Sequence, residues 1–125
     1  MTKQGTDAPA DESWRIKPFD IVVVPFPFTD RNASKRRPAL VVSSGRFGQA
    51  TGHSVMAMIT SADQSAWQGD LLISELKPTG LTQPCRVRLK LFTLDHRLVL
   101  RTAGTLGQAD RQKLHRAWPG LLMPP

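Results

Sequence analysis

The side chains best suited to chemistry in this chain are two clusters of cations and a pair of hydroxyls. Residues 85–91 (CRVRLKL) alternate without a break, so Cys85, Val87, Leu89 and Leu91 share one face of a strand and Arg86, Arg88 and Lys90 the other. At a rise of about 6.6 Å per pair of residues, the three cations form a rail that an extended polyanion fits. They also read as a solvated outer face with carboxylate partners such as Asp95 or Glu75, although like charges in a row repel and so favour binding over stability. A second cluster, Lys35, Arg36 and Arg37, stands where a long connection enters an apolar run. Pro38 biases Arg37 toward an extended backbone, and a guanidinium there is either a fixed fork for phosphate or an ordinary loop-edge charge. Thr60 and Ser61 end another apolar run, where hydroxyls can donate to a phosphate oxygen.

Several other chemistries find no support. His53, His96 and His115 lack metal-ligand spacing, and a structural or surface role is the default for each, including His96 in the LDHR turn after the basic strand. There is no GxGxxG, Walker A loop, GxSxG elbow or HExxH, which removes the main motifs of nucleotide hydrolases, serine hydrolases and zinc proteases. The single cysteine, Cys85, leaves no intramolecular disulfide and no thiolate zinc site. Neither a metal nor another cofactor is expected.

Charge points to the same partner class as the clusters. The chain carries a formal +7, yet residues 1–15 hold Lys3 and Arg15 against Asp7, Asp11 and Glu12, so the rest carries +8. A folded body with that excess attracts polyanions through long-range fields and counterion release, which makes RNA or DNA the first partner to consider. The opening MTKQGTDAPADESW lacks the apolar stretch of a signal peptide, and no run approaches the roughly 20 apolar residues needed to span a bilayer. A cytoplasmic protein with no membrane partner is expected.

The elements that must position these residues are mostly strands. The composition of residues 1–16 is that of a disordered arm, and residues 17–125 suffice for a single domain. Residues 19–24 (FDIVVV) read as a strand that Pro25 stops, because proline cannot donate to a ladder. Residues 25–36 form a long connection, and long connections are usually functional or disordered. Residues 38–43 (PALVVS) and 55–60 (VMAMIT) read as buried strands separated by a Gly-rich stretch, 45–52, that cannot easily continue either. Residues 70–74 and about 98–106 are further strands. The only helix indicated is about 108–122, with Leu114, Ala117, Trp118, Leu121 and Leu122 on one stripe and a kink or early end at Pro119. Short strands followed by one terminal helix suggest a mainly β fold, a small, partly closed barrel.

In order and spacing, FDIVVVPFPFTD, KRRPALVVSS, MITS, KLFTLD and LVLRTAGTL with a closing helix resemble the MazF/PemK family of toxin–antitoxin modules, in its chromosomal PemK-like branch. The likeness spans about residues 18–122. It implies an SH3-like barrel of the MazF/PemK/CcdB type and a homodimer. It also implies a sequence-specific endoribonuclease of the mRNA interferase type that acts on single-stranded RNA, inhibited by a cognate antitoxin whose disordered tail occupies the RNA groove. In the family the arginine of the RP pair and the threonine of the IT element serve catalysis, and these match Arg37 and Thr60. Two positions depart from the pattern: Phe19 replaces the glycine that usually precedes Asp20, and Phe92-Thr93 replaces an Arg-Thr pair.

The reaction so implied is attack of a ribose 2′-OH on its own 3′ phosphate, leaving a cyclic phosphate and a 5′-OH. The substrate already holds the nucleophile beside phosphorus, so no metal is needed. Arg37 suits stabilisation of charge on the phosphoryl oxygens, and Thr60 a further hydrogen bond. Arginine is a poor general base, which leaves Asp20, Asp30, His96 or solvent for that task. Lys35, Arg36, Ser61 and the rail of Arg86, Arg88 and Lys90 would bind RNA, with Phe26 or Phe28 stacking on a base. The rival readings are a CcdB-like inhibitor that acts by binding a protein and a catalytically silent RNA-binding module.

Overall fold

A computed structural model describes residues 15–27 and 35–125. Six strands form one antiparallel sheet in the order β4-β5-β3-β2-β1-β6. They are β1 (Asp20–Phe26), β2 (Lys35–Val41), β3 (His53–Ser61), β4 (Leu71–Leu72), β5 (Cys85–Asp95) and β6 (Arg101–Thr105). Among the described residues, three α-helices accompany the sheet: α1 (Gly45–Thr51), α2 (Gln108–Ala117) and α3 (Pro119–Leu122). The sheet curls into a half-barrel, and β6 comes against the 3-10 turn Lys77–Thr79 that follows β4. A Cβ built on Gly104 would lie 2.3 Å from the carbonyl oxygen of Pro78, so only glycine allows that approach.

The strands bury both faces, each under its own cluster. Ile21, Leu40, Ala57, Ile59, Val87 and Leu106 pack with Leu114 and Trp118 of the C-terminal helices. On the opposite face Val22, Val24, Ala39, Val41, Met56 and Leu94 form a second cluster, against which Ile16, Phe92, Leu98 and Val99 pack. Neighbouring residues of one strand therefore enter different cores, as the two-residue period of a strand requires.

Several expectations are corrected. Pro25 does not stop β1, which runs on to Phe26 with Pro25 opposite Arg36. The Val23 carbonyl accepts from Leu100 on the β6 side. Pro25, two residues on, turns its missing donor to that same side, beyond the last β1–β6 pair at Val23 and Arg101, so no ladder bond is lost. The Gly-rich stretch holds a second helix, α1, capped by the Ser44 hydroxyl on the Phe47 amide at 3.1 Å and ended by Gly52 at φ 69°. β4 is only two residues long, and 98–106 splits into the 3-10 turn His96–Leu98 and β6. The alternation of 85–91 holds in β5 except at its end: Cys85, Val87 and Leu89 pack in the first cluster, Leu91 is exposed, and Phe92 and Leu94, on the face of Arg88 and Lys90, enter the second.

The C-terminal helix breaks at Pro119 as expected, but of its stripe only Leu114 and Trp118 are buried. Phe19 stands at φ 67°, a conformation that costs a side-chain-bearing residue about 1–2 kcal/mol and glycine nothing. Its surroundings hold it there. The Phe19 amide donates to Val41 at 2.8 Å, its carbonyl accepts from Leu106 at 2.9 Å, and its ring lies under Arg111 at 5.0 Å and edge-on to His115 at 5.6 Å.

Candidate active site

Arg37 lies opposite Val24 across the β1–β2 pair, so it leaves the sheet on the face of the second cluster. Thr60 follows Met56 and Met58 at two-residue spacing on β3 and therefore shares that face. The face is apolar where Val22, Val41 and Met56 are buried, and it opens at the other end into a groove of about 420 Å³. Arg37, Thr60, Ser61, Arg88 and Lys90 line it, with Met58 and Cys85 between them. Five residues singled out in the sequence thus converge on one concave surface.

The remaining candidates lie elsewhere. Arg86 pairs with Thr60 across the strands, but its Nε donates to the Ala62 carbonyl at 3.4 Å and it does not line the groove. Lys35 and Arg36 are exposed at the start of β2, also outside the lining. Phe28 and Asp30 fall outside the described residues. Phe26 ends β1 rather than sitting on a loop, and its ring lies 5.6 Å from the Arg37 guanidinium carbon.

Two of the candidate bases are at the wrong place. Asp20 begins β1, where it accepts from the Lys17 amide at 2.9 Å, and burial raises its pKa. Four residues separate it from Val24, the partner of Arg37, about 13 Å along the strand. His96 is buried with Nε2 2.6 Å from the Ser54 hydroxyl, and burial lowers its pKa. Ser54 precedes Thr60 by six residues, about 20 Å on β3. Among the described residues, the groove is lined by no carboxylate and no imidazole. Cys85 adds no charge, since burial raises its thiol pKa.

The two arginines of the groove differ in how their charge is compensated. Arg88 is held by Asp70, with Nε to Oδ1 at 3.1 Å and Nη2 to Oδ2 at 2.9 Å, and donates to the Ser65 carbonyl at 2.7 Å. The Arg88 hydrogen bonds hold the Asp70 carboxyl below its usual range, and Asp70 raises the pKa of Arg88 in turn. Neither Asp95 nor Glu75 is the partner of the basic strand: Asp95 accepts from Arg97 at 2.6 Å, which takes its pKa down to about 2. Arg37, in contrast, donates to its neighbour's carbonyl, Arg36, at 3.2 Å and has no carboxylate partner among the described residues.

Sequence reasoning missed Asp70 and Trp67, whose ring lies 5.0 Å from the Arg88 guanidinium carbon. Only the strand register reveals the pair. Leu71 pairs with Val87 and Leu72 with Arg86, so the β4–β5 register sets Asp70 opposite Arg88. The C-terminal helices steady this side, because the Trp118 indole donates to the Gly69 carbonyl at 2.8 Å. Among the described residues, no group of three or more His, Cys, Asp and Glu side chains could hold a metal, and no helix is long and apolar enough to cross a membrane.

The fold matches solved structures at low identity. An endoribonuclease from a mycobacterial species, solved with its cognate antitoxin, superposes with a TM-score of 0.67 at 17% identity, covering 88% of this chain and 95% of that one. MazE–MazF from Deinococcus radiodurans gives 0.66 at 16%, covering 88% and 97%. Mycobacterium tuberculosis toxin MazF-mt6 gives 0.65 at 19%, covering 81% and 93%. No curated protein matches. The model of the PemK-like, MazF-like toxins of type II toxin–antitoxin systems matches residues 17–119, which include all six strands and α2, and the chain belongs to that family.

Proposed function

We propose that the protein is the toxin of a toxin–antitoxin module and cuts single-stranded RNA without a metal, with Arg37 and Thr60 at the reacting phosphate. The observation that carries the reading is a groove presenting an arginine with no carboxylate partner among the described residues beside a threonine hydroxyl. The endoribonuclease named among the structural neighbours supports the same reaction.

The 2′-oxygen attacks its own phosphorus, the P–O5′ bond breaks, and a cyclic phosphate and a 5′-OH remain. Charge accumulates on the non-bridging oxygens, where the forked guanidinium of Arg37 meets it and Thr60 donates a second hydrogen bond. With no carboxylate or imidazole lining the described groove, the 2′-OH proton passes to solvent or to Asp30 in the β1–β2 connection. The leaving 5′-oxygen takes its proton from water. Lys90 and Ser61 hold the flanking backbone. The protein acts as a homodimer in the cytoplasm, and an antitoxin, the kind of partner named in two of the neighbouring structures, silences it by occupying the groove.

Incubation of the purified protein with long RNA in EDTA, followed by sequencing of the new ends, tests the reading. Cuts at a recurring short sequence with 5′-OH ends are expected. A metal requirement or 5′-phosphate ends would place it in another nuclease class, and intact RNA would favour a CcdB-like protein-binding inhibitor.

A further inference from the structure

Trp67 has no place in either core cluster and leaves 47% of its surface exposed. Its position is nonetheless fixed from several sides. The Trp67 amide donates to Asp70 Oδ2 at 2.9 Å, and the Asp70 amide donates back to the Trp67 carbonyl at 2.9 Å. Arg88 lies against the ring, and its own guanidinium is clamped by Asp70 and the Ser65 carbonyl. Two residues after Trp67, Gly69 at φ 87° is fastened through its carbonyl to Trp118, and a Cβ there would lie 2.9 Å from Leu121.

An exposed indole backed by a cation and held on a braced turn is a preorganised surface for a flat partner. The backing cation, Arg88, also lines the groove, which puts the ring one side chain away from that lining. Because Asp70 matches the charge of Arg88, that arginine has little left to offer a phosphate, and its remaining use is to hold the ring. We propose that Trp67 stacks on one unpaired base of the bound RNA and so sets which linkage comes to rest at Arg37. Asp70 and Arg88 are positioning residues for the ring. This rests on the RNA-cleaving reading above, to which it adds the contact that fixes the strand's register.

The test is binding of a single-stranded oligonucleotide carrying 2′-O-methyl groups at every ribose, so that no cleavage intervenes, to the full chain and its variants. Trp67→Ala should weaken binding roughly ten- to hundredfold, the effect of losing one stacked base. Trp67→Phe should restore most of it. Moving one abasic site along the oligonucleotide should reveal a single position at which wild type and Trp67→Ala bind alike, a readout that a merely structural tryptophan would not produce. Unchanged affinity in Trp67→Ala, or an equal penalty at every abasic position, overturns the proposal. If that happens while the wild type still cuts RNA, the nuclease reading stands without it. A wild type that neither binds nor cuts single-stranded RNA overturns both.

Discussion

The two walls of the groove each set an arginine against an aromatic ring, Arg37 by Phe26 and Arg88 by Trp67, yet the two arginines are in different electrostatic states. Arg88 is bidentate to Asp70, a carboxylate whose side chain is only 3% exposed, while Arg37 has a carbonyl as its neighbour. A charge neutralised at 2.9 Å contributes little field to a third group, whereas a guanidinium with no carboxylate partner among the described residues contributes nearly all of its own. Counting cations on a strand therefore overstates what the strand offers a phosphate. In the proposed reaction the β5 wall braces the substrate, and the side of β2 and β3, with Arg37 and Thr60, acts on it.

Variants of the two walls should separate these roles. The largest expected effect is that of Arg37→Ala, a loss on the order of a thousandfold in the cleavage rate at saturating RNA, as for removal of a principal transition-state donor. Arg88→Ala should act chiefly on affinity and thermal stability, and equal losses of rate from both would erase the distinction. Thr60→Ala should slow cleavage about tenfold, the worth of one hydrogen bond to a charged oxygen.

Salt dependence sharpens the comparison further. Lys90→Gln should reduce the slope of log affinity against log salt by about 0.7, one phosphate contact, whereas Arg88→Gln should leave the slope nearly unchanged and lower the unfolding midpoint. Asp70→Asn, by freeing Arg88, should steepen it by a similar amount.

The smallest effect belongs to His96, far from either wall. Burial lowers its pKa from the ordinary 6.5, so the unfolded chain takes up the proton first. Stability should fall as pH drops below about 6.5, until the folded-state value is passed. His96→Gln should flatten that part of a stability–pH curve, and an unaltered curve would remove His96 from it.

How much of this was legible in the sequence depended on whether the cause was local. Arg37 and Thr60 were picked out by the RP and IT elements of the family resemblance rather than by local chemistry, and Pro38 does not open its strand as expected, since β2 begins at Lys35. The break at Pro119 is local, since proline's missing donor acts within one turn. Asp70–Arg88 was not seen because 18 residues separate the partners and only the β4–β5 register unites them. Helix α1 escaped notice because GRFGQAT carries two glycines and no apolar stripe. Its stability comes from the Ser44 cap and from the packing of Gly48 against the buried His96 ring. The alternation of 85–91 was legible because a strand's two-residue period is local, but nothing local showed that the face of Arg88 and Lys90 turns apolar at Phe92 and Leu94. Phe19 was visible as a departure, but the ring contacts that offset its backbone cost lie on α2, some ninety residues away.

In the proposed reaction Arg37 stabilises charge that develops only in the transition state. The measurement that tests it compares, for wild type and Arg37→Ala, the single-turnover cleavage rate of an RNA with its affinity for the same sequence carrying 2′-O-methyl riboses, both in EDTA. The rate should collapse while affinity changes by no more than a few-fold. An affinity loss as large as the loss of rate would make Arg37 an ordinary phosphate contact and contradict the account.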